Sequence, residues 1–117
     1  MNTVKATSNL LSLLGYTGKK IEDPKSLDVS HFSKNVGKDD SRVEIEVKVF
    51  ESGYFSMSIR REGGSFRAQA LSDGRVDIYD LELPSKVARA FARDAIKLLE
   101  LLEVEPHYRA GEFVNAR

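Results

Sequence analysis

Between Ser41 and Leu102 the apolar residues change period once, and that change limits the fold more than any other feature. Val43, Ile45, Val47 and Val49 alternate with Arg42, Glu44, Glu46 and Lys48. Successive side chains of a strand point to opposite faces, so this pattern predicts a strand with one buried side. Three further segments repeat it. Phe55, Met57 and Ile59 alternate with Tyr54, Ser56, Ser58 and Arg60. Phe66, Ala68 and Ala70 alternate with Arg67, Gln69 and Leu71, and Val76 and Ile78 with Arg75, Asp77 and Tyr79. The turns between them are Glu51-Ser52-Gly53, Glu62-Gly63-Gly64 and Asp73-Gly74. Connections this short make consecutive strands antiparallel neighbours.

After Pro84, which suits the first turn of a helix, the period lengthens. Val87, Phe91, Ala95, Leu98 and Leu102 form one stripe over residues 85–104, widened by Ala88, Ile96 and Leu99. A sheet with one apolar face needs a cover, and this helix supplies it. A second, short helix is predicted over residues 4–14, with Leu10, Leu11 and Leu14 on one face and Gly15 as its stop. The predicted fold class is therefore α+β: a two-layer, four-stranded antiparallel meander, covered on one face by a long C-terminal helix, with a short N-terminal helix. Residues 1–40 form the N-terminal helix plus an irregular segment, 41–105 the sheet-and-helix core, and 106–117 a tail that frays or wraps back. Within the irregular segment, Leu27, Val29 and Phe32 would anchor a short helix or edge strand; otherwise it is a linker. In a four-stranded meander Glu44 and Glu46 fall on an edge strand, where charge discourages strand addition.

Length and charge narrow the function. A chain of 117 residues makes one domain rather than two. Eighteen basic residues balance eighteen acidic ones, so no global charge draws it to nucleic acid or membrane. The absence of cysteine excludes disulfides and thiolate chemistry and favours a reducing compartment. With no run long enough to span a bilayer and no good signal peptide, a cytoplasmic location without membrane association is expected. Phosphate-loop, dinucleotide, zinc-protease and nucleophile-elbow motifs are absent. His31 and His107 have no partner at ligand spacing. Neither catalysis nor a metal or cofactor is expected.

Two surfaces remain as candidates. The exposed sheet face would present Lys48, Tyr54, Arg60, Arg67, Gln69, Arg75 and Tyr79. Arginines clamp phosphates and aromatic rings stack on unpaired bases, the chemistry of single-stranded DNA or RNA binding. The same mix also occurs on any solvated sheet face. Lys86, Arg89, Arg93 and Lys97, with Asp94 as the intervening acid, form a basic stripe at helical spacing. Leu101 and the N-terminal leucines are apolar surplus that a homodimer contact would bury. The expected function is a non-catalytic protein-interaction module: an adaptor, chaperone or regulator/inhibitor that binds another protein. The alternative is a single-stranded nucleic-acid-binding protein using the exposed sheet face.

Overall fold

A computed structural model describes residues 3–19 and 30–109. Its elements in chain order are α1 (Thr3–Leu13), β1 (Thr17–Lys19), β2 (Ser30–Val36), a 3-10 turn (Asp39–Ser41), β3 (Val43–Val49), β4 (Phe55–Arg60), β5 (Phe66–Leu71), β6 (Arg75–Ile78), α2 (Ser85–Leu101) and β7 (His107–Arg109). The α+β class and the antiparallel meander hold, but the sheet has seven strands in chain order rather than four. Two of the added strands, β1 and β2, come from the stretch read as irregular, of which residues 20–29 lie outside the described residues. The third, β7, pairs parallel with β6, and α2 makes the crossover between them. The long helix is therefore not the last element, and it ends at Leu101. The tail does wrap back over His107–Arg109; residues beyond it lie outside the described set. β3 is an interior strand between β2 and β4, so Glu44 and Glu46 protect no edge.

Apart from Lys34, the strand residues that make the core on one face are apolar and closed off. Phe32, Val47, Met57, Ala70 and Val76 lie in one cross-strand row, and Ile45, Ile59 and Ala68 in the next. Both helices pack on this face: Leu11 of α1 and Val87, Phe91, Ala95, Leu98 and Leu99 of α2 belong to the same buried cluster. Burying a side chain such as Phe91 stabilises by roughly 1.5–3 kcal/mol, so α2 and its alternating sheet partners dominate the energetics. Leu101 is partly buried, while Leu13 is 85% exposed.

The predicted alternation fails at one place. Pairing passes from Ile59↔Ala68 to Arg60↔Phe66, leaving Arg67 as an extra residue on β5. A bulge shifts the side-chain parity by one. Phe66, expected in the core, is turned out beside Arg60, whose guanidinium lies 5.1 Å from the ring centre. The bulged Arg67 carbonyl accepts from the N–H groups of both Tyr79 (2.9 Å) and Asp80 (3.1 Å).

Helix α1 stops as predicted, at Gly15. Tyr16 N–H donates to Leu11 (2.9 Å) and Gly15 N–H to Ser12 (3.1 Å), with Gly15 at φ +97. This is the reciprocal pair of bonds that closes a helix on a left-handed residue. Gly74, in the β5–β6 turn, serves packing as well as φ. A Cβ there would stand 2.5 Å from the Glu105 carbonyl oxygen, and the Gly74 carbonyl accepts the His107 N–H at 2.7 Å.

Gly74→Ala should therefore cost more than Gly63→Ala in urea unfolding. At Gly63 a Cβ meets nothing within 4 Å, so only the left-handed strain of about 1–2 kcal/mol applies. The intrusion on Glu105 adds to that strain at Gly74. Equal costs would mean that β7 yields to the methyl group.

Candidate binding cleft

On the outer sheet face most of the predicted residues are drawn into local pairs. Arg67 Nε donates to Asp80 Oδ2 at 2.7 Å, and Arg61 reaches the same oxygen at 3.0 Å. Arg60 lies 3.9 Å from Glu46 and Arg75 lies 4.0 Å from Asp77. The Tyr79 hydroxyl donates to Asp77 Oδ2 at 3.1 Å and stands 3.4 Å from Gln69 Oε1. The other Asp77 oxygen is buried without a hydrogen-bond partner among the described residues. Lys48 lies opposite His31 on β2, and burial together with that ammonium pushes the imidazole below its ordinary pKa. The Arg67 hydrogen bond, helped by the Glu82 N–H and Arg61, holds the Asp80 carboxyl below its ordinary value of 3.8 despite its burial. Gln69, Arg75 and Tyr79 thus gather around Asp77. Tyr54, which precedes β4, instead lines a separate recess of about 210 Å³ with Thr3, Ser72 and Leu102.

The larger concavity lies elsewhere. A cleft of about 800 Å³ opens between the end of β2 and the first turns of α2, lined by Lys34, Asn35, Val36, Gly37, Ser85, Lys86, Arg89, Ala90 and Arg93. Three residues of the predicted basic stripe meet here, and a fourth cation, Lys34, joins them from the strand. Lys97, one turn beyond Arg93 on α2, does not line it. The first turn of α2 has neither a side-chain cap nor an acidic residue. Its unpaired N–H groups therefore add partial positive charge at this end.

Asp94 fixes the arrangement. It was expected to separate the charges of a solvated stripe, but it is completely buried. Its side chain accepts from Lys34 Nζ, from the Tyr16 hydroxyl at 2.9 Å and from Arg93 Nε at 3.3 Å. Lys34 Nζ also donates to the Leu14 carbonyl at 3.0 Å and stands 4.6 Å from the Tyr16 ring centre. Burial, then the Asp94 carboxylate, push the Tyr16 phenol well above its ordinary pKa, so it stays a donor. One carboxylate thereby joins the end of α1, β2 and α2. Lys86 and Arg89 make no ion pair among the described residues. The cleft is thus cationic, with Asp94 the counter-charge of Lys34 and Arg93.

Helical spacing carries the signal for Asp94: it lies three residues after Phe91 and four before Leu98, on the apolar stripe. An acid there needs buried donors. Lys34 shares the parity of Phe32 and Val36, which is informative only once residues 30–36 are read as a strand. Among the described residues no three His, Cys, Asp or Glu side chains gather as a metal site, and no helix is long and apolar enough to cross a membrane. No family model matches the chain, and no curated protein or solved structure matches it either.

Lys34→Met should cost about 3 kcal/mol in urea unfolding, because it removes one partner of a buried pair. Lys34→Met/Asp94→Leu should lose much less than the sum of its single changes; additive losses would mean the two side chains are uncoupled. Asp80 supplies a pH test. Its folded pKa is depressed, so its contribution is complete above the ordinary value of 3.8 and fades as pH falls through the folded value. The stability advantage of wild type over Asp80→Asn should be constant above about pH 5 and shrink below about pH 4; an advantage that is flat down to acid would refute the coupling.

Proposed function

We propose that this chain is a non-catalytic protein-interaction module, of the adaptor, chaperone or regulator/inhibitor kind, whose β2–α2 cleft holds an acidic segment of a partner protein. The observation that carries this reading is the uneven use of cations. On the outer face Arg60, Arg67 and Arg75 each stand beside a carboxylate, which lowers their availability to phosphates. In the cleft Lys86 and Arg89 make no ion pair among the described residues and face open space, whereas Arg93 is shared with Asp94. An incoming carboxylate gains charge-assisted hydrogen bonds at Lys86 and Arg89 without displacing a paired acid.

Extent favours protein over nucleic acid. From Lys86 to Arg93 the axial distance is about 10 Å at 1.5 Å per residue. That length accommodates two or three carboxylates. Binding a nucleic-acid strand generally relies on a longer basic track, and its affinity scales with the number of phosphates neutralised.

Copurification from extract of the source cells, with and without nuclease and with wild type and Lys86→Glu/Arg89→Glu in parallel, tests this. The charge reversal suits a helix N-terminus, where acids are favourable, so circular dichroism should remain unchanged. Wild type should retain a partner protein that is released by salt and is absent from the variant. Retained material that nuclease removes, or a partner held equally by the variant, would overturn the proposal.

A further inference from the structure

Strand β1 covers only part of β2. Their pairing runs from Lys19↔His31 to Thr17↔Ser33 and stops. On its other side β2 pairs with β3 through to Val36↔Val43. Asn35 and Val36 thus have a strand on one side and none on the other among the described residues. The chain that would continue β1 is already committed, since Gly15 and Tyr16 donate their N–H groups back to Ser12 and Leu11 of α1. The uncovered stretch of β2 is also the stretch that lines the basic cleft. Natural sheets usually protect an edge of this kind by covering or blunting it.

We infer that the cleft accepts the partner's acidic segment as an added β-strand beside Asn35 and Val36, with alternate carboxylates directed at Lys86, Arg89 and Arg93. This mode rests on the role proposed above for the cleft. Backbone hydrogen bonds to a sheet edge supply affinity, and side-chain contacts at every second position supply specificity. The spacings are of the same order. Alternate residues of a strand lie about 6.6 Å apart, against about 6 Å from Arg89 to Arg93 and about 4.5 Å from Lys86 to Arg89 along the helix axis, an interval the long flexible side chains span. Contiguous acids do not fit as well, because neighbouring side chains of a strand point to opposite faces. The favoured segment therefore alternates acidic and β-forming residues. Lys34 plays a different part: its ammonium is held by Asp94 and the Leu14 carbonyl, so it braces the strand rather than meeting the ligand.

The probe is a synthetic octapeptide alternating glutamate and threonine, followed by backbone amide shifts and hydrogen exchange. Its comparisons are a block isomer with all glutamates first, and two versions N-methylated on one or the other set of alternate amides. An added strand directs only one set of amides at β2. One methylated peptide should bind like the parent and the other about tenfold or more worse, the effect of losing one or two hydrogen bonds. The block isomer should also bind less tightly, exchange should slow within residues 35–37, and Lys86→Glu/Arg89→Glu should abolish binding. Equal binding by both methylated peptides would overturn strand addition while leaving an acid-binding cleft. Failure of every peptide would overturn the inference, with the copurified partner still deciding the broader reading. Binding of oligothymidylate in place of all peptides would overturn both.

Discussion

A single buried carboxylate, that of Asp94, organises the side of the molecule where α1, β2 and α2 converge. Removing an ion from water carries a penalty of several kcal/mol, offset only where good geometry and several donors replace the lost hydration. Lys34, Tyr16 and Arg93 are those donors. Each imposes a separate constraint. Tyr16 sets the direction in which the chain leaves α1, Lys34 holds the end of β2 against α2, and Arg93 is drawn to the cleft wall. An apolar residue at 94 would pack against the sheet without specifying any of these positions.

Although Asp94 holds Lys34 and Arg93 from beneath, the two surfaces of the protein differ in kind. The outer sheet face is electrostatically closed. Its arginines stand beside carboxylates and its Tyr79 hydroxyl bonds Asp77 across β4, β5 and β6, and Asp80, buried and gripped by Arg61 and Arg67, pins the loop before α2 to the β5 bulge. The cleft is open. Lys86 and Arg89 make no ion pair among the described residues, and the helix end contributes in the same direction. Equal numbers of acids and bases in the whole chain conceal this separation.

The period-two runs of β3, β4 and β6 and the long stripe of α2 were legible because each buries one continuous face. Phe66 was misread because the bulge at Arg67 moves it across the sheet, and no local composition marks the extra residue. β1 and β7 have three residues each, too few for a period to appear. Lys86, Arg89 and Arg93 were legible as a stripe, but the cleft was not, since its other wall comes from a strand that begins with Ser-His and carries only two apolar residues, Phe32 and Val36. Asp94 fell between cations in the sequence, and that neighbourhood masked its place on the apolar stripe.

The ties that shape the cleft span most of the chain: Lys34 to Asp94 crosses 60 residues and Tyr16 to Asp94 crosses 78. During synthesis, β1 through β6 emerge before α2 does. A nascent chain with α2 still inside the ribosome has one wall of the cleft and lacks the other, and its Lys34 ammonium still faces water. A partner specific for the finished cleft would therefore bind only completed chains and leave unfinished ones to other factors.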